Sequence, residues 1–136
     1  MAKSYWLVKQ EPSTYSFEQL VREKRACWDG VRNFQARNNL AKMRVGDRAL
    51  FYHSGEAREV VGIAEVAREA YPDPTAKEPR WVAVDLVPVR PLKKPVSLEQ
   101  IKATPALRTI ALVRQSRLSV MPLAGTEFEA IVKLGS

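Results

Sequence analysis

The alternation of hydrophobic and polar positions divides the chain into strand-like and helix-like segments. Five segments have the alternating or continuously apolar pattern of strands, over residues 5–9, 48–53, 59–66, 80–89 and 117–120. The fourth is the longest, and its alternation places Val82, Val84 and Leu86 on one face. Gly62 lies inside the third, where a glycine indicates a bulge or a close approach of the backbone to a neighbouring group.

Helical segments are marked by their first residues. Three of them begin with a hydroxyl residue that is followed three positions later by Gln or Glu, the spacing of a capping box: Ser16–Gln19, Ser97–Gln100 and Thr126–Glu129. Residues 35–43 have helical composition. The predicted order is therefore one strand, two helices, three strands, a helix, a short strand and a helix.

The connections between the three central strands are short, which favours a mainly antiparallel sheet over a doubly wound parallel one. Closing such a sheet into a small barrel of five to six strands, with helices outside it, hides its edges. We therefore predict an α+β fold. The length of 136 residues fits a single domain over residues 1–136.

The composition of the chain predicts its net charge and its cellular location. Lys and Arg outnumber Asp and Glu by 22 to 15, which gives a formal net charge of +7. Such a surplus speeds encounter with DNA or RNA, although it also serves simple solubility. The chain has one cysteine, no apolar run of membrane-spanning length and no signal-peptide pattern. These features predict a soluble monomer, cytoplasmic or nucleoid-associated, with no membrane partner.

Residues suited to catalysis are few. His53, the single histidine, precedes Ser54 at a strand end, where adjacent side chains point to opposite faces. Cys27 lies in an apolar segment typical of a buried, inert thiol. The sequence has neither clustered metal ligands nor a glycine-rich phosphate loop. We predict no catalytic residue, no metal and no cofactor. The alternative is a hydrolase or RNA-modifying enzyme that uses His53 and Ser54.

Residues 28–39, WDGVRNFQARNN, concentrate groups that bind a nucleobase outside a duplex. They include the aromatic rings of Trp28 and Phe34, several side-chain amides for base edges, and Arg32 and Arg37 for phosphate. Trp28 abuts a tight turn and is expected to form a pocket wall. For Phe34 a place in the core is the favoured interpretation, because large apolar residues are usually buried.

The remaining aromatic and basic residues divide by position. Trp6 and Trp81 lie in predicted strands and are expected in the core. Tyr52 and Tyr71 lie at strand or loop ends, where one apolar face and one hydroxyl suit a pocket rim. Two arginines before the last strand, Arg114 and Arg117, extend a phosphate track if they fold beside the first basic segment.

Several motifs make the chain resemble the EVE domain family. They are YWLVK with Glu11-Pro12, WDGVRNFQARNNL, FYHS, VGIAEV, EAYPD, VRPL and SRLSVMP, in the expected order over nearly the whole chain. EVE domains belong to the PUA-like superfamily, so the resemblance implies a small β-barrel with flanking helices. It also implies kinship with YTH domains, which read methylated adenine in RNA through an aromatic cage. The cage positions would fall on Trp28 and Tyr71.

Together these observations predict a nucleic-acid reader that holds a modified base, flipped or single-stranded, in DNA or RNA. Modified cytosine in DNA is favoured, because Asp29 can accept from the exocyclic amine and the EVE resemblance implies the same. A basic protein-interaction module is the other alternative. The predicted base pocket comprises Lys9, Gln10, Tyr15, Trp28, Asp29, Gly30, Asn33, Tyr52, His53, Ser54 and Tyr71. The predicted phosphate contacts are Arg32, Arg37, Arg114 and Arg117.

Overall fold

A computed structural model describes residues 3–136. Its strands are β1 (Tyr5–Gln10), β2 (Ala26–Trp28), β3 (Arg48–His53), β4 (Glu59–Pro72), β5 (Val82–Ser97) and β6 (Val120–Leu123). Its helices are α1 (Phe17–Glu23), α2 (Phe34–Lys42), α3 (Leu98–Ala103), α4 (Ala111–Arg114) and α5 (Gly125–Leu134), with a 3₁₀ turn at Pro105–Leu107. Within these residues no helix is long and apolar enough to cross a membrane.

All six strands form one sheet in the order β2-β5-β4-β3-β1-β6. The pairing of β1 with β3 is parallel and the other pairings are antiparallel. The sheet is strongly curled. The ring centroids of Trp28 in β2 and Phe51 in β3 are 5.3 Å apart, although two strands lie between β2 and β3 in the sheet. Neighbouring strands are about 4.8 Å apart, so a flat sheet could not make this contact. The predicted fold class, a mainly antiparallel sheet curled into a small barrel with peripheral helices, is confirmed.

Helix α2 connects the edge strand β6 to strand β5, which is next to the opposite edge of the sheet. It packs against β6 and β5, and the Asn39 side-chain amide donates to the Val120 carbonyl at 2.7 Å. This bond occupies a carbonyl on the short β6 edge, which protects an edge from pairing with another chain. The helix therefore completes the enclosure that the strands begin.

Local signals located most helix starts correctly. Ser16 accepts from the Gln19 amide, and Ser97 forms a full capping box with Gln100, as predicted. Thr126 is not an N-cap, so that prediction is wrong. Helix α5 begins earlier, and the Glu127 carboxylate instead accepts from the Ala124 amide at 2.8 Å.

Strand β5 is longer than the hydrophobic pattern predicts and contains three prolines: Pro88, Pro91 and Pro95. Its short partner β2 reaches only Leu86. Beyond Leu86 no strand of residues 3–136 pairs with one edge of β5, and proline is tolerated where no ladder bond is required. The last strand also differs: it is Val120–Leu123 rather than residues 117–120, because it begins where β1 can pair with it.

The core fills the inside of the curled sheet and the space beneath the helices. Trp6 is buried, as predicted, and its indole nitrogen donates to buried Asp47 at 3.0 Å. Gly62 is needed for close approach, because a Cβ there would lie 2.5 Å from the ring of Phe17. The glycine noted in the sequence thus accommodates a ring from α1.

Candidate nucleic-acid interface

The parallel strands β1 and β3 end side by side, which brings several predicted site residues to one end of the sheet. Lys9 pairs with Tyr52 and Gln10 with His53, and the Ser54 amide donates to the Gln10 carbonyl at 3.0 Å. Side chains alternate between the two faces of a strand. Lys9 and Tyr52 therefore face one way and Gln10 and His53 the other, so the predicted pocket is divided in two.

On the first face lies a cavity of about 310 Å³, here called the basic cavity, lined by Lys9, Tyr52, Ser54, Arg58, Lys102 and Ser116 together with Leu98 and Leu112. The Lys9 ammonium donates to the Ser116 carbonyl at 2.8 Å and lies 5.8 Å from the centroid of the Tyr52 ring. Burial lowers the pKa of Lys9. None of the described residues that line this cavity is acidic, so its potential favours an anionic ligand.

A second, more open depression of about 340 Å³, here called the polar groove, is lined by Asn33, Gln35, Gln115, Arg114, Arg117 and Ser116. Ser116 lines both spaces, so they adjoin. The Asn33 side-chain oxygen caps α2 by accepting from the Ala36 amide at 2.9 Å, which leaves its NH₂ group for a ligand. Within residues 3–136 neither Arg114 nor Arg117 forms an ion pair with a carboxylate.

Trp28 does not form an open pocket wall, contrary to the sequence expectation. It is only 5% exposed, and its ring is packed edge-on against Phe51 and, at 6.5 Å, Tyr15. The reason is that the apolar segment before it is strand β2, whose pairing with β5 turns the ring into the curled sheet. Asp29 is exposed in the turn that follows.

The side chains of His53 and Gln10 both accept from backbone amides. The His53 Nε2 atom accepts from the Phe17 amide at 3.1 Å, and burial lowers the pKa of the ring. Its lone pair is thereby engaged, which leaves it unsuited to activate Ser54. The Gln10 side-chain oxygen accepts from the amide of Glu11 at 3.1 Å. Within residues 3–136 no three His, Cys, Asp or Glu side chains are grouped as metal ligands.

Tyr71 lies away from both spaces, so it does not join Ser54 or Asn33 in one cleft. Its hydroxyl donates to Asp85 and is 3.0 Å from the Cys27 sulfur, and the Arg68 guanidinium stacks 3.8 Å from its ring. Burial and the hydrogen bond to Asp85 raise the pKa of Tyr71. Cys27 is exposed rather than buried, because alternation along β2 directs it away from the core.

Asp73 holds together the turn after Trp28 and the loop after β4. Its buried carboxylate accepts from the Gly30 amide at 2.8 Å, from Arg32 at 3.0 Å and from Thr75. Burial alone would raise the pKa of Asp73, but these hydrogen bonds outweigh it and lower the pKa to about 2. Arg32, predicted to bind phosphate, is thus engaged in an internal ion pair.

The two aromatics expected in the core, Phe34 and Trp81, pack on each other at the surface instead. Their ring centroids are 5.0 Å apart, Phe34 is 56% exposed and Trp81 is partly exposed. Phe34 is the first residue of α2, and the buried face of this helix begins only at Ala36. Arg37, beside it, donates to the Arg80 carbonyl at 2.6 Å.

Five residues of this region were missed in the sequence: Arg58, Leu98, Lys102, Leu112 and Asp73. Asp73 had a local signal, since Asp followed by Thr two residues later is typical of a turn closed by the side chain. Lys102 had none, because it reaches the cavity from α3, which is distant in the sequence from Lys9 and Ser54. Arg58 lies only four residues after Ser54, but no motif marked it.

The profile of the EVE domain matches residues 4–134. The chain belongs to the EVE domain family. Mouse thymocyte nuclear protein 1 is 38% identical to this EVE domain, over 96% of this chain and 73% of its own length. A protein from Rhodopseudomonas palustris, solved by NMR, is 48% identical with a TM-score of 0.92, covering 97% of this chain and 92% of its own.

Human thymocyte nuclear protein 1 (THYN1), crystallised in complex with DNA containing 5-methylcytosine, is 33% identical to this EVE domain. Its TM-score is 0.91, and 98% of each chain is covered. The relatives also correct one prediction. The cytoplasmic or nucleoid-associated location is wrong by this comparison, because the animal relatives at 33–38% identity are named nuclear proteins.

Proposed function

We propose that this EVE domain is a non-catalytic, monomeric reader of DNA that carries modified cytosine, with 5-methylcytosine as the first candidate. The observation that carries the proposal is the similarity, over nearly the full length, to a human protein crystallised with 5-methylcytosine DNA. The charge of +7 and the adjoining basic cavity and polar groove supply a surface for DNA.

The basic cavity has the size and the groups for one cytosine. Its volume of about 310 Å³ is at the lower end of small-molecule pockets, roughly 300–1,000 Å³. The Lys9 ammonium can donate to the O2 or N3 atom of the base, and Ser54 or the Ser116 carbonyl can accept from its N4 amine. These partners match the acceptor and donor pattern of a cytosine edge that has left the duplex.

The 5-methyl group requires an apolar contact, and the same cavity provides one. Leu98 and Leu112 are the two leucines in its lining. Burying one methyl group contributes about 0.8 kcal/mol, close to a fourfold change in affinity. The leucines are therefore the groups that we propose distinguish 5-methylcytosine from cytosine.

Substitution of Lys9 tests the position of the base. Lys9→Met keeps the apolar stem but removes the hydrogen bonds to the base edge and should weaken binding of a single-stranded 5-methylcytosine oligonucleotide by roughly tenfold or more. Lys133→Met removes the same charge from an exposed position in α5 and should have a much smaller effect. Equal effects of the two substitutions, measured by fluorescence anisotropy, would reject the cavity as the base site.

Substitution of Leu98 tests the contact with the methyl group. Leu98→Ala should bring the affinities for methylated and unmethylated oligonucleotides close together while preserving the affinity for the unmethylated one. Leu134→Ala, at the end of α5, is the matched control and should leave the methyl preference unchanged. A full methyl preference in Leu98→Ala would place the methyl group elsewhere.

A further inference from the structure

Phe34 and Trp81 form a partly exposed pair of packed rings that we call the aromatic platform. The planes of their rings are inclined by 31°. The Arg80 guanidinium lies 5.9 Å from the Phe34 centroid, and that of Arg32 lies 5.7 Å from the Trp81 centroid. An exposed aromatic pair flanked by cations is the composition of a stacking site for single-stranded nucleic acid.

The platform is held in place by its surroundings. The Asp73 amide donates to the Trp81 carbonyl at 2.9 Å, and Arg37 donates to the Arg80 carbonyl at 2.6 Å. Phe34 begins a helix whose N-cap is Asn33. A ligand that stacks on these rings therefore meets a prearranged surface, which lowers the ordering cost of binding.

Charge and position favour a nucleic acid as the occupant. Around the rings lie Arg37, which forms no ion pair within residues 3–136, and Arg80, whose pair with Glu78 is more than half exposed. Phe34 is also flanked in the chain by Asn33 and Gln35, two residues that line the polar groove. The platform is thus continuous with the surface proposed to bind DNA.

We propose that a second base of the bound strand, outside the basic cavity, stacks on the exposed ring of Phe34, with its phosphate close to Arg37. This inference rests on the proposed function and extends it from one base to a short stretch of single strand. Every base has a π-face, so stacking here is independent of sequence. The platform should therefore raise the affinity for any strand without changing the preference for the modified base.

Substitution of Phe34 in the full chain tests the platform. Phe34→Ala should weaken binding of cytosine and 5-methylcytosine oligonucleotides by the same factor, roughly 5- to 150-fold for one stacked base. Phe34→Tyr should restore binding, and Val45→Ala, which shortens another exposed apolar residue, should leave it unchanged. Circular dichroism should show that all variants are folded.

A scan with abasic sites locates the second base. In the wild type, removing one base at a fixed distance from the modified cytosine should weaken binding by the same factor as the Phe34→Ala substitution does. In the Phe34→Ala variant, removing that base should have no effect. Wild-type affinity in Phe34→Ala, or equal abasic costs in both proteins, would overturn the platform. Wild-type protein that binds DNA without any methyl preference would refute the proposed function as a modified-base reader. The platform would then still be tested by the affinities of wild type and Phe34→Ala for intact and abasic strands. Absence of all DNA binding would overturn both.

Discussion

Two aromatic pairs, each of which takes one ring from residues 28–39, have opposite environments. Trp28 and Phe51 meet at 5.3 Å inside the curled sheet, whereas Phe34 and Trp81 meet at 5.0 Å on the surface. Trp28 and Phe34 are only six residues apart in the chain. The difference shows that residue type did not decide which ring is available to a ligand. Strand pairing buried the first ring, and the start of a helix exposed the second.

The strongest contrast should appear in stability. Trp28→Ala removes a buried indole that contacts Phe51 and Tyr15, and it should lower the free energy of unfolding by about 3–5 kcal/mol. Phe34→Ala should lower it by less than about 1 kcal/mol, since its ring is already largely in water. Urea denaturation of both variants measures the difference. Similar losses in the two proteins would show that the surface pair also supports the fold.

The exposed pair is expected to depend on Asp73. Asp73→Ala removes the acceptor for Gly30, Arg32 and Thr75 and should cost about 3 kcal/mol, because several donors lose their partner at a buried site. The loop that carries Trp81 should also become mobile, which hydrogen exchange can detect at residues 73–81. Unchanged protection of that loop against hydrogen exchange would show that the platform does not depend on Asp73.

On the buried side, Gly62→Ala tests how closely the core is packed. The added Cβ would lie 2.5 Å from the ring of Phe17, which is buried and packs edge-on against Phe51, so it cannot simply swing away. We expect a loss of about 1–3 kcal/mol in the free energy of unfolding. A matched change, Gly125→Ala, meets Tyr5 at 3.4 Å and should cost less. A cost no greater than that of the control would mean that α1 is free to shift.

The smallest expected effect is on the pH dependence of stability, and it arises from His53, which packs against the buried ring of Phe51. His53 packs 5.6 Å from Phe51, and burial lowers its pKa below the ordinary value of 6.5. The unfolded chain then binds a proton more readily than the folded one. This contribution to stability is complete above pH 6.5 and is lost as the pH falls through the folded pKa. NMR titration should show a neutral ring at pH 7, protonated on Nδ1, and His53→Gln should flatten the pH dependence of stability over this range.

Local signals predicted much of the fold, whereas the position of the site depended on long-range contacts. Ser16 and Ser97 could be recognised as caps because their partners lie three residues away. The direction of the Trp28 ring could not, since it follows from pairing with β5, almost sixty residues later. The proposed base site illustrates the same limit: Lys9 and Ser54 were identified, but Lys102 and Leu98 reach the cavity from a helix whose placement has no local signature.

The most direct test of the central claim is a binding competition with wild-type protein. Two single-stranded oligonucleotides of identical sequence, differing by one methyl group on a single cytosine, compete for the protein at fixed salt. If a modified cytosine enters the basic cavity and its methyl group contacts Leu98 and Leu112, the methylated strand should bind about fourfold or more tightly. Equal affinities for the two strands would contradict the account.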